Sequence, residues 1–173
     1  MNQLDMFLGI TVNNIRVAIT AFVAGIFLGI GTLLVLMYNG VMLGSFQYFF
    51  HAQGLLWDSA RTIWIHGTIE ISVIVIAGCA GLVLGNGFLF PGTFTRLHSF
   101  RRAMKDGLKI LMSTIPFSIV AGFLESFVTR ITQMPDLLSV IIILGSLSLI
   151  LFYYVYLPIK IHKKSLNHAT ALS

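Results

Sequence analysis

Residues 63–90 read IWIHGTIEISVIVIAGCAGLVLGNGFLF. Within this run only Glu70 carries a formal charge, and His66 is the other ionisable group besides the thiol of Cys79. About 20 apolar residues are enough to cross the hydrocarbon of a bilayer. The run therefore predicts a membrane-spanning helix, because a helix satisfies its own backbone hydrogen bonds where no water is available. It also poses the functional question, which is why two ionisable groups sit four residues apart inside it.

Three more stretches are long and apolar enough to span, at about 15–38, 107–129 and 137–157, the last ending before Pro158. The whole chain agrees. Of its 173 residues 57% are hydrophobic and only 10% are charged, against roughly 25% charged in an ordinary soluble domain. The mean hydropathy is +0.91. These figures predict an all-α, polytopic transmembrane helical bundle forming one integral membrane domain over residues 1–173. The single cysteine, Cys79, excludes an intrachain disulfide and has no metal-ligand spacing around it. No cofactor motif is present, and residues 1–16 show no cleavable signal pattern, so the first run is expected to be an uncleaved anchor.

The net charge is +5, but it does not point to nucleic acid. Its basic residues flank apolar runs, where membrane topology accounts for them. Arg96, Arg101, Arg102, Lys105 and Lys109 lie between the second and third runs. Lys160, Lys163 and Lys164 follow the fourth, and Arg16 opens the first. Residues 41–57, VMLGSFQYFFHAQGLLW, are apolar but interrupted by Gln47, His51, Gln53 and Gly54. They read either as a short outer-side helical or re-entrant element or as a fifth span. With four spans all nine of those basic residues fall on one side, leaving Arg61 and Arg130 on the other. The positive-inside rule then favours four spans in the cell membrane with both termini cytoplasmic. A fifth span would move Arg16 alone to the outside. Phe94, Leu97, Phe100, Met104 and Leu108 recur at helical spacing among the arginines, which predicts an amphipathic segment on the inner leaflet. Its alternative is a solvated basic loop, and either form would contact anionic lipid.

Two stripes of small residues stand out: Ala21, Gly25 and Gly29 in the first run, and Ala77, Gly81 and Gly85 in the second. Such spacing lets helix backbones approach closely in lipid. The two stripes are expected to pack on each other or on a second copy of the chain.

His66 and Glu70 share one helix face, and that face continues through Ile74 and Ala77 to Gly81. It should look into protein. On the third run Thr114, Ser118, Ala121 or Gly122, Glu125 and Thr129 line one face, and Pro116 is expected to favour a kink. Counting 1.5 Å per residue from the outer ends puts Glu70 about 10 Å and Glu125 about 8 Å deep. The expectation is an intramembrane polar site of His66, Glu70 and Glu125. Ionisable residues within a bilayer are costly and pair or line a cavity. Four uses remain open: a structural hydrogen-bond cluster, a proton or ion site, a metal site, for which one histidine and two carboxylates suit zinc, or catalysis. Arg61 and Arg130 read as interfacial anchors or as counter-charges to it. Asn13 and Asn14 read as a helix cap or as members of the polar site.

The segments TVNNIRVAITAFVAGIFLGIGTLLVLMYNG (11–40), HGTIEISVIVIAGCAGL (66–82) and AGFLESFVTR (121–130) together resemble the stage II sporulation protein M family of bacterial and archaeal membrane proteins. The Asn-Asn entry, the His-Gly-x-x-Glu run and the Ala-Gly-x-x-Glu run carry the likeness. It implies a multi-span helical protein of the cytoplasmic membrane. In endospore formers it implies a scaffold that associates with cell-wall hydrolases during peptidoglycan remodelling. The resemblance assigns no catalytic role to His66, Glu70 or Glu125. Longer relatives carry more sequence before the Asn-Asn entry, so this chain reads as a short form or an internal start. The resulting expectation is a non-enzymatic scaffold or assembly factor. Its partners would be the lipid bilayer, other membrane or envelope proteins and a second copy of itself. A small transporter or channel subunit using the His/Glu site is the alternative.

Overall fold

The structure, a computed structural model, describes residues 2–129 and 134–170, without the side chains of residues 166 and 168–170. Every regular element among them is helical. Helix α1 (Gln3–Val23) ends in a short 3₁₀ turn, Ala24–Ile26. Helix α2 runs Ile30–Ala52, α3 Leu56–Leu89 and α4 Arg96–Phe123. α4 continues through a π-helical turn, Leu124–Val128. α5 (Asp136–Leu151) passes through a second π turn, Phe152–Tyr156, into α6 (Leu157–Thr170). Five of the resulting rods are long and apolar enough to cross a membrane: Gln3–Ile26, Ile30–Ala52, Leu56–Leu89, Arg96–Val128 and Asp136–Ser165.

The stretch 15–38 is thus not one helix. The chain reverses at Phe27–Gly29, where Leu28 (φ 58°) and Gly29 (φ 80°) both adopt left-handed backbone. Glycine takes that conformation without a Cβ penalty, and Gly29 ends one rod so that α2 can start back alongside α1. Thr32 Oγ1, on the returning helix of this hairpin, donates to the Ala21 carbonyl at 2.8 Å. Residues 41–52 then continue α2, where a separate outer element was expected. The basic segment is helical and leads straight into the third run, Arg96 to Val128 forming one continuous rod with the amphipathic part as its first turns. α4 stays α-helical through Pro116. Pro158 does not stop the last helix, which continues to Thr170 directly after the π turn.

α3 is the hub, with α1, α2, α4 and α5 all packed against it. Its buried side chains, Ile69, Val73, Ala77, Ala80 and Leu84, join Ala18, Ala21 and Phe22 of α1 and Leu111 and Ala121 of α4 in the core. Consecutive rods run antiparallel. The start of α1 lies at the end of α4, with the Phe7 and Phe127 rings 6.3 Å apart. The end of α1 lies beside the later part of α3 and the early part of α4, near Gly81 and Gly107. Arg61 near the start of α3 pairs with Asp136 at the start of α5. Residues 2 and 170 therefore sit at opposite ends of the bundle. This differs from the four-span reading, in which both termini share a side, and the cause is the hairpin at Phe27–Gly29.

The two small-residue stripes meet across the α1–α3 contact. A Cβ on Gly25 would come 2.0 Å from the Gly81 carbonyl oxygen, and one on Gly85 would come 2.5 Å from the Gly29 nitrogen. Ala21 and Ala77 are fully buried in the same seam. Backbone touches backbone here, and any side chain would force the rods apart.

Candidate functional site

The polar centre is built from four rods. α3 holds His66 and Glu70 one turn apart, and the π turn closing α4 holds Glu125. One ligand atom from each of the three lies within 4.8 Å of the other two. All three residues are partly buried. The His66 ring nitrogen Nδ1 lies 3.1 Å from Thr129 Oγ1, and that hydroxyl in turn lies 3.1 Å from the Leu124 carbonyl. The π turn matters for this geometry. The Thr129 amide bonds the Leu124 carbonyl five residues back, which widens the last turn and sets Glu125 and Thr129 together toward α3. Single π turns of this kind recur at functional sites.

α1 supplies the third wall. Thr11 Oγ1 seats α1 on α4 at Gly122, where a Cβ would come within 2.3 Å of it. Beside that contact lies a recess of about 460 Å³ lined by Asn13, Asn14, Asn39, Glu70, Ile74 and Glu125, among others. Asn14 reaches toward Glu70, although its Nδ2, shielded from solvent, completes no well-formed hydrogen bond. Asn13 and Asn14 are thus part of the polar site and lie well inside α1, so they do not cap it. Asn39 was missed by sequence reasoning. It stands on α2 and lines the recess, and its Nδ2 donates to the Val35 carbonyl at 2.8 Å.

The expected counter-charges lie elsewhere. Arg61 pairs with Asp136 and, at 3.9 Å, with Asp58. Arg130 lies outside the described residues. Among the described residues no lysine or arginine pairs with Glu70 or Glu125. Of the basic surface, Arg96 lies over the Phe88 ring and Arg102 over the Phe94 ring, at 5.8 and 5.9 Å. Lys109 pairs with Asp106 at 3.0 Å, while His98, Arg101, Arg102 and Lys105 line an open pocket. Arg16 is not at a helix entrance. It is exposed midway along α1, on the same face as Val12, Ile19 and Val23.

The description of one protein family, Stage II sporulation protein M, matches residues 1–130. The chain belongs to that family. Five apolar helices and this membership make it a multi-pass membrane protein of the family. The chain is also similar to an uncharacterized protein of Methanocaldococcus jannaschii, 29% identical over 131 residues, which cover 74% of this chain and 58% of that relative. The match thus spans little more than half the relative's length. No solved structure matches the chain.

Proposed function

We propose that the chain is a non-enzymatic membrane scaffold of the stage II sporulation protein M family, which assembles envelope-remodelling proteins through contacts within the bilayer. One observation carries this reading. Arg16 is exposed at mid-height on α1, flanked by Val12, Ile19 and Val23, which are 56%, 45% and 44% exposed. It stands about 17–20 Å from the turn at 27–29 and about 20 Å from the start of α1, at 1.5 Å per residue. Neither end is within reach of a snorkelling side chain. An arginine facing hydrocarbon at such depth costs at least ~2.5 kcal/mol. No carboxylate of the described residues pairs with it. A partner's helix bearing an acidic or hydroxyl group would cover this face and satisfy the charge. The basic ends of α4 and α6 favour the cytoplasm for that end of the bundle. With five crossings the C-terminal end is then inside and the start of α1 outside.

The test is photo-crosslinking in native membranes from probes at Val12, Ile19 and Val23. A discrete adduct of a membrane or envelope protein is expected, and it should disappear with Arg16→Leu. Lipid-only adducts at all three positions would sink the scaffold reading. The second reading, a small transporter, rests on the recess at Glu70 and Glu125. It predicts a pH- or ion-gradient flux in vesicles that Glu70→Gln or Glu125→Gln removes without loss of assembled protein. The scaffold reading predicts no flux in wild type.

A further inference from the structure

We propose that His66, Glu70 and Glu125 form a binding site for one divalent transition-metal ion, which joins α3 to the π turn of α4. This goes beyond the scaffold reading and stands or falls separately from it.

The donor set is the first support. One imidazole and two carboxylates offer three ligand atoms within 4.8 Å of one another. Zinc holds nitrogen and oxygen ligands at about 2.0–2.2 Å, which puts neighbouring ligands of one ion roughly 3–4 Å apart. The donors thus stand at most about 1–2 Å further apart than one ion would hold them. Three protein ligands leave a position open, and the recess beside Glu70 and Glu125 has room for water there.

Around the donors stand groups that would hold them in place. Thr129 Oγ1 engages His66 Nδ1 and leaves Nε2 as the free imidazole nitrogen. Asn14 reaches toward Glu70 from a third rod. Metal ligands are commonly oriented by such neighbours, which set the histidine tautomer and aim the carboxylate. The Asn14 Nδ2, buried without a completed bond, would finish one once Glu70 turned onto an ion.

Charge supplies the third argument. Two glutamates face each other within the bundle, and no lysine or arginine among the described residues pairs with either. Buried charges need pairing or a metal. A divalent cation would neutralise both carboxylates at once. A proton shared between them is the competing solution, and the two differ in what they bind.

The full-length protein, purified in detergent, would be stripped with a chelator and titrated with Co²⁺, then separately with Zn²⁺ and Mn²⁺. Metal content per chain would follow by mass spectrometry. Wild type is expected to hold about one ion per chain and to give a Co²⁺ absorption spectrum of nitrogen and oxygen ligation. His66→Ala, Glu70→Gln and Glu125→Gln should each weaken binding at least tenfold. Asp58→Asn and Asp106→Asn, at carboxylates outside the cluster, should leave it unchanged. If the cluster variants do not fold, wild type alone still decides. A monodisperse, helical wild-type protein that takes up none of the three ions would overturn the proposal. So would an ion retained equally by all three cluster variants.

Discussion

The same two helices, α1 and α3, meet in opposite ways at their two ends. At the hairpin end Gly25 lies on Gly81 and Gly29 on Gly85, with no side chain between the backbones. At the other end the two helices border a recess, across which Asn14 of α1 reaches toward Glu70 of α3. The difference is one of residue size. Glycine and alanine at four-residue spacing let the rods touch, and asparagine with Met6, Ile10 and Val17 holds them apart. A tight seam at one end lets a polar, part-open site exist at the other, because the seam and the α3–α4 contact keep the angle between the rods. Without a hydrophobic force between helices in lipid, that close packing is a main source of association.

The comparison breaks most readily at the seam. Gly81→Val should prevent assembly or cost about 3 kcal/mol or more, because its Cβ would sit 2.4 Å from Thr32 Oγ1 and 2.5 Å from the Ala21 carbonyl. The measurement is monodisperse yield and thermal stability in detergent. Gly44→Val on α2, with nothing within 4 Å of its Cβ, should stay within about 0.5 kcal/mol of wild type. Equal damage from both would mean that the seam has no special role.

A second measurement asks whether the two ends differ in water access. In a Cys79→Ser background, Asn39→Cys in the recess should react with a water-soluble thiol reagent at least about tenfold faster than Thr32→Cys in the seam. Thr32 is 0% exposed, and a recess lined by polar groups holds water where an apolar one stays dry. Equal rates would remove the contrast.

Smaller effects sharpen it. Thr32→Val deletes the bond to the Ala21 carbonyl and should cost about 0.6–1 kcal/mol, measured by reversible unfolding in mixed micelles. Arg61→Ala, at the polar end of the bundle, removes pairs to Asp136 and Asp58. Both aspartates are well exposed, at 60% and 69%, so the loss should be below about 1 kcal/mol. A larger loss would show that the α3–α5 contact depends on this pair more than solvent screening allows.

How much of this could be read beforehand varies from residue to residue. His66, Glu70 and Glu125 were legible because a charge in an apolar run is conspicuous and helical rise converts position into depth. The glycine stripes were legible through their spacing alone. The hairpin was not. Hydropathy averages over windows, and Phe27-Leu28-Gly29 is as apolar as the helices on either side, so a reversal there leaves no dip. The available signal was the density of glycine at 25, 29 and 31, which also fits ordinary close packing. Asn39 was missed for the same reason, since its helix was not recognised as a separate rod. The π turn at Leu124–Val128 leaves no mark in composition either.

Composition and periodicity by themselves determined that this chain is helical, belongs in a bilayer and carries two acidic groups at similar depth. Those properties depend on transfer free energy and helical rise, which are local. Only the tertiary structure decided that the chain turns back at Phe27–Gly29, that its described ends lie apart, and that Asn13, Asn14 and Asn39 share a recess with Glu70 and Glu125. Those depend on which backbones can touch, and contact between distant segments is a property of packed surfaces that no single stretch contains.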